Sequence, residues 1–217
     1  MIFKEHTYRE LGPALEHAAK AKCLCLEKPS VRELETAARE LTKLEELTIN
    51  WFGASQLPDC FGGLLKLRRF SCLNGPIAGI PPSVFELKEL RTVVVRQGNL
   101  TSVPPDILHL SKLEKLDLWQ NEIIEIPACV GGLRRLRFLR LGFNRLRELP
   151  PEVENLGRLE LLDVRRNQLS QWTFSASAYP KLRFLSVEGN PLDPISLKRA
   201  HETSQIAAKR GPVRDDN

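Results

Sequence analysis

The amino-acid sequence predicts an α/β solenoid of eight stacked units with a helical cap at each end, and three observations predict it. Leucine stands at 44, 67, 90, 113, 136, 159 and 182, each 23 residues after the last. Two companion columns keep the same step: Leu47, Phe70, Val93, Leu116, Leu139, Leu162, Leu185, and Ile49, Cys72, Val95, Leu118, Leu141, Val164, Val187. Finally, Leu57, Ile80, Val103, Ile126 and Leu149 are each followed by proline. A fixed period of this length means stacked copies of one supersecondary unit. One unit buries about six aliphatic side chains at roughly 1.5–3 kcal/mol each, while ordering each backbone residue costs ~1–2 kcal/mol, so a lone unit stays unfolded. Stacking lets each strand hydrogen-bond two neighbours and seals the apolar interior, and the terminal units then need polar caps.

The elements follow in order. Residues 1–20 are expected to form an N-terminal cap helix, because YRELGPALEHAAK places apolar side chains at 11, 14, 15, 18 and 19 with Pro13 near its start. The repeat array is expected over 21–194. Its degenerate first unit uses Ala21, Leu24, Leu26, Val31, Leu34, Ala38 and Leu41, in register when the period is extended backwards. Strands are expected near 47–49, 70–72, 93–95, 116–118, 139–141, 162–164 and 185–187, on the concave side, with irregular or short helical turns outside. Residues 195–217 are expected to form a C-terminal cap helix from SLKRAHETSQIAAK, with Ser196 as its N-cap, followed by a frayed tail, GPVRDDN.

The full unit reads L-x-x-L-x-L-x-x-N-x-L-x-x-L-P. It resembles the leucine-rich repeat of the 23-residue type, found in Ras-associated scaffold proteins and in stand-alone bacterial repeat proteins. The resemblance implies a curved horseshoe with a parallel sheet on its concave face. It also implies a scaffold or regulator, in some cases for small GTPases. The asparagine of the unit is present as Asn121, Asn144, Asn167 and Asn190 but replaced by Phe52, Gly75 and Gly98 earlier, so the resemblance is weaker in the first half. Bacterial relatives that are ubiquitin ligases carry a large extra catalytic domain, for which this chain has no room.

Composition narrows the function further. Charges at 4, 5, 9, 10, 16 and 20 interrupt the start of the chain, and no segment approaches the roughly 20 apolar residues of a membrane helix, so a soluble, cytoplasmic protein is expected. Cys60 and Cys129 share a repeat position three units apart, about 14 Å at a strand spacing of ~4.8 Å, too far to bridge. Cys72 reads as a core residue. Cys23 and Cys25 lack the further ligands that a metal needs. The histidines at 6, 17, 109 and 201 are scattered, and none joins a nucleophile and an acid in matching columns. No enzyme, cofactor or metal is expected.

Function is therefore sought on the outward strand positions. Their columns are Thr48, Ser71, Val94, Asp117, Arg140, Asp163, Ser186; then Asn50, Leu73, Arg96, Trp119, Gly142, Arg165, Glu188; then Trp51, Asn74, Gln97, Gln120, Phe143, Arg166, Gly189. Arg96, Trp119, Arg140, Phe143, Arg165 and Arg166 concentrate the residue types of binding hot spots and form the candidate partner site. Two readings of it stand open. One is a docking patch, with Arg96, Arg165 and Arg166 unpaired and a net charge of +5 drawing a protein with an acidic or mixed acidic and aromatic surface. The other is self-satisfied packing, with Arg140 paired to Asp117 and Asp163 and Trp119 folded over Gly142. The alternative function, binding of a polyanion such as nucleic acid, is disfavoured by Asp117, Asp163, Glu122 and Glu188, which interrupt the basic field.

Overall fold

A computed structural model describes residues 6–213. Nine parallel strands form one sheet in strict sequence order: β1 Thr7–Tyr8, β2 Cys23–Glu27, β3 Glu46–Asn50, β4 Arg69–Leu73, β5 Thr92–Arg96, β6 Lys115–Asp117, β7 Phe138–Arg140, β8 Leu161–Asp163 and β9 Phe184–Ser186. From β2 onward every register partner is 23 residues away, as in Leu47 with Phe70 and Leu116 with Leu139. The sequence period is thus the strand register itself. The two inward columns are buried throughout, and with the leucine column they make one continuous core from Ala14 to Ala207. The eight units expected from the period correspond to β2–β9, and β1 belongs to the cap.

The return path follows from proline. Pro81, Pro104, Pro127 and Pro150 hold φ between −59° and −70° and begin short helical turns: α3 at Pro82–Phe85, then 3-10 turns at Pro105–His109, Ala128–Gly132 and Pro151–Asn155. Proline fits there because its ring already fixes that φ and its missing N–H falls where no intrahelical bond is made. Gly131 lets successive turns touch, since a Cβ on it would lie 2.2 Å from the Glu152 carbonyl oxygen.

Three expectations need correction. The N-terminal cap is not one helix over 1–20: among the described residues it is β1 followed by the six-residue α1, Leu11–Glu16, because Thr7 and Tyr8 extend the sheet beside Cys23 and Leu24. The first unit returns through a true helix, α2 Val31–Glu40, fixed by a capping box in which the Ser30 hydroxyl accepts from the Glu33 N–H while Glu33 accepts from the Ser30 N–H. The closing helix α4, Pro194–Ala208, is capped by Asp193 rather than Ser196, since the Asp193 carboxylate accepts from the N–H groups of Ile195 and Ser196, both at 2.9 Å. Those bonds hold the Asp193 carboxyl below the usual aspartate range. Of the expected tail, residues 214–217 lie outside the described residues.

The missing asparagines divide the sheet. β2–β5 run five residues, whereas β6–β9 run three and start one residue earlier than expected. In the short-strand half the carboxamides take over where the strands stop. Asn144 Nδ2 donates to the carbonyls of Leu118 at 2.9 Å and Leu141 at 3.0 Å, and its Oδ1 accepts from the Ile123 N–H at 3.0 Å. Asn121, Asn167 and Asn190 repeat this pattern one unit apart.

Candidate functional site

The outward face is built from three strand columns and a fourth that is not strand. Trp51, Asn74, Gln97, Gln120, Phe143 and Arg166 all hold φ between 50° and 58°, and Gly189 holds 73°. This left-handed conformation is uncommon for residues with a Cβ. It turns the chain out of the sheet once per unit, so Phe143 and Arg166 stand on the rim rather than on the strands.

Buried carboxylates organise the strand columns. Asp117 is wholly buried and accepts from the guanidiniums of both Arg96 and Arg140, the latter at 3.4 Å. Asp163, 4% exposed, pairs with Arg165 Nε at 3.3 Å and accepts from the Arg165 backbone N–H at 3.2 Å. Burial raises the Asp163 pKa above the ordinary aspartate value, against the opposing pull of that backbone bond and of the Arg165 charge. Glycine at 142 leaves room for this cluster, since a Cβ there would sit 3.0 Å from Asp163 Oδ1 and 3.2 Å from Arg165 Cγ. Arg96 and Arg165 are therefore paired, not free as the sequence suggested. A buried carboxylate without them would carry a large desolvation cost.

Trp119 joins both worlds. Its ring meets Phe143 edge-on with centroids 5.1 Å apart, and Phe143 also carries Arg165 and Arg166 over its ring at 5.7 and 5.4 Å. Half-buried, Trp119 keeps its indole nitrogen out of solvent with no hydrogen-bond partner. Beside it opens a cleft of about 660 Å³ lined by Arg96, Trp119, Arg140, Leu161, Asp163, Arg165, Arg183, Phe184, Pro212 and Val213. The structure thus brings four of the six predicted residues, Arg96, Trp119, Arg140 and Arg165, to one cavity, and leaves Phe143 and Arg166 packed at its edge.

Sequence reasoning missed Leu161, Arg183, Phe184 and the tail residues. A signal was present. The strands begin one position earlier than assumed, so Glu46, Arg69, Thr92, Lys115, Phe138, Leu161 and Phe184 form a further outward column. Its apolar end, with Phe184 43% exposed, supplies the cleft with a greasy wall. The tail enters by three-dimensional folding alone.

Chemically, the cleft offers four guanidiniums against two buried carboxylates, beside an indole N–H and apolar walls. Among the described residues no group of three or more His, Cys, Asp or Glu is placed to hold a metal ion, and no helix is long and apolar enough to cross a membrane.

The strand order and the 23-residue register define a repeat solenoid, and the comparisons agree on that fold. Residues 88–146 match the family described as Leucine rich repeat. The fold matches a leucine-rich repeat protein of Leptospira interrogans at 23% identity and a TM-score of 0.72, over 92% of this chain and 57% of that one. It matches an internalin of Listeria monocytogenes at 20% identity and 0.74, over 100% and 60%. It also matches the ectodomain of the Arabidopsis thaliana membrane receptor kinase GASSHO1/SCHENGEN3, solved with CASPARIAN STRIP INTEGRITY FACTOR 2, at 25% identity and 0.63, over 82% and 22%. No curated protein matches. Residues 88–146 thus carry leucine-rich repeats, and the chain as a whole has the leucine-rich repeat fold. It spans about 60% of the length of the two bacterial proteins.

Proposed function

We propose that the chain is a protein-interaction module without catalysis of its own, acting as a scaffold or regulator in the cytoplasm, that docks a partner protein in the concave cleft around Trp119. The observation that carries this reading is the cleft itself: an aromatic ring with an unpartnered indole N–H, flanked by Arg140, Arg165 and Arg183 and walled by Leu161 and Phe184. Arginine and tryptophan in a desolvated hollow are what binding hot spots are made of. Because guanidiniums outnumber carboxylates there, the partner surface is acidic, with an apolar or aromatic side chain for the greasy wall. Burial of Asp117 and Asp163 within the arginine cluster works against a polyanion, whose phosphates need an unbroken basic track. The Arabidopsis ectodomain, solved with CASPARIAN STRIP INTEGRITY FACTOR 2, lends support by analogy.

The test is a Trp119→Ala, Arg183→Ala double variant, used to capture partners from the native cell and then titrated against the captured partner. Arg96 and Arg165 are the wrong second sites, because the loss of either strips a partner from a buried carboxylate, Asp117 or Asp163. Trp119→Ala costs ~0.5–1.5 kcal/mol of stability through the lost Phe143 contact. It weakens partner binding by ~2 kcal/mol or more. Unchanged affinity with an intact melt removes the docking site from this face.

A further inference from the structure

The first half of the rim holds a second hollow, apart from the Trp119 cleft and of different chemistry. Where later units place their asparagine, the earlier ones place Phe52, Gly75 and Gly98. Phe52 is buried in the core, and Gly75 passes close over it, since a Cβ on Gly75 would lie 2.7 Å from the Phe52 carbonyl oxygen. The residues just before these, Trp51, Asn74 and Gln97, hold left-handed φ values of 57°, 57° and 55°. Their backbones are fixed, because each N–H donates into the next unit: Trp51 to the Leu73 carbonyl at 2.9 Å, Asn74 to Arg96 and Gln97 to Trp119, both at 3.1 Å. Three successive units thus set an indole and two carboxamides in a row along the rim. Among them opens a hollow of about 490 Å³, within the size range of small-molecule sites. Trp51 borders it 54% exposed, whereas Trp172 is fully buried. Asn74, Gln97 and Asn99 bring carboxamides to its wall, and among the described residues none that line it is ionisable. Asn74 is oriented by a chain of bonds, its Nδ2 donating to Asn50 Oδ1 at 2.8 Å and Asn50 Nδ2 donating to Glu27 Oε1 at 2.9 Å.

We propose that this hollow is a binding site for a neutral saccharide, with Trp51 as the platform for a sugar ring and the carboxamides of Asn74, Gln97 and Asn99 as partners for its hydroxyls. The uncharged wall sets the ligand class apart from the acidic partner of the Trp119 cleft, since nothing in it rewards a charge. A pyranose has a face of C–H bonds whose hydrogens carry partial positive charge, and the face of an indole is the negative side of its quadrupole. Its hydroxyls both donate and accept, as a carboxamide does with its NH₂ and its oxygen, so one planar amide can serve two neighbouring hydroxyls. A polyproline segment also docks in aromatic-lined grooves, but its backbone offers carbonyl acceptors and no proline N–H. The hollow fits it less well, because Trp51 is the exposed ring there and Phe52 is only 2% exposed. The fixed left-handed backbone holds platform and amides in place before the ligand arrives, which lowers the ordering cost of binding.

The test titrates the full chain, labelled with 15N, against a panel of neutral trisaccharides of glucose, galactose, mannose and N-acetylglucosamine, with a polyproline peptide alongside. At least one saccharide is expected to move the Trp51 indole signal together with the side-chain amide signals of Gln97 and Asn99, while the Trp119 indole signal stays. For a shallow site the midpoint falls at about 1 mM. Gln97→Ala, an exposed substitution that leaves the core untouched, raises that midpoint about tenfold, the worth of a lost hydrogen bond. The proposal is overturned if no saccharide moves the Trp51 signal at ten times the expected midpoint, or if the Gln97→Ala titration superimposes on that of wild type. It is equally overturned if the polyproline peptide moves Trp51 at a lower concentration than every saccharide, which would make the hollow a peptide groove.

Discussion

At the scale of single residues, the face is governed by two carboxylates that the sequence shows only as charges among charges. Asp163 sits buried under guanidiniums, and burial raises its pKa above the ordinary value. A carboxyl whose pKa is higher folded than unfolded binds its proton more tightly in the native state. Its contribution to stability is therefore present below the unfolded pKa and lost as pH rises through the folded one. Asp163→Asn keeps the acceptor for the Arg165 N–H and removes this titration. The difference in melting temperature between variant and wild type is expected to change between pH 3.8 and the raised folded value and to be flat above it. A difference that stays constant across that window contradicts the buried, ionisable assignment. The role of Asp117 and Asp163 was illegible in the sequence, because outward alternation places them in water, whereas the fold buries both against the guanidiniums of Arg96, Arg140 and Arg165. Pairing of Arg140 was legible, since 117, 140 and 163 share one column. The left-handed column was not: nothing in Trp51, Phe143 or Arg166 marks a residue type for positive φ.

At the scale of the element, the strand columns and proline turns were legible because period two within a strand and period 23 between strands each leave a mark in the sequence. Strand ends were less so. The asparagine ladder fixes them, and a carboxamide's partners are backbone groups that no sequence pattern displays. Asn144→Ala leaves the Ile123 N–H and the carbonyls of Leu118 and Leu141 without this side chain, at ~1–3 kcal/mol in a denaturant melt. A loss below ~0.5 kcal/mol would mean that water replaces the amide freely. The convex side makes a separate demand at Gly131, where an added Cβ would meet the Glu152 carbonyl at 2.2 Å. Backbone cannot swing aside as a flexible side chain does, so Gly131→Ala is expected to cost ~1–3 kcal/mol, the range of overpacking. Gly63 is the control, since a Cβ there meets nothing closer than the Ala38 carbonyl at 3.7 Å. Equal melts for Gly131→Ala and Gly63→Ala would show that the turns have slack.

At the scale of the molecule, the sheet order and the 23-residue register mean that each unit touches little beyond its two neighbours. Stability in such an array is a sum of unit and interface terms, and the ends carry the cost of exposing an apolar cross-section. Helix α4 covers one end. It packs on β9 and on the turn Ala176–Ala178, buries Ala200 and Ala207 completely or nearly so, and closes over Trp172 and Tyr179, both fully buried. Replacing Ala200 by Asp places a carboxylate in that dry seam, where an unpaired charge is untenable, and the helix must lift. The expected result is graded. Hydrogen exchange should rise steeply in β9 and β8, less in β7, and not at all in β2–β5, because each lost interface weakens only the next unit. The N-terminal half keeps its own closure through α1 and the capped α2. Faster exchange spread evenly over all nine strands would show instead that the array unfolds as one cooperative block, and that the period describes its geometry but not its energetics.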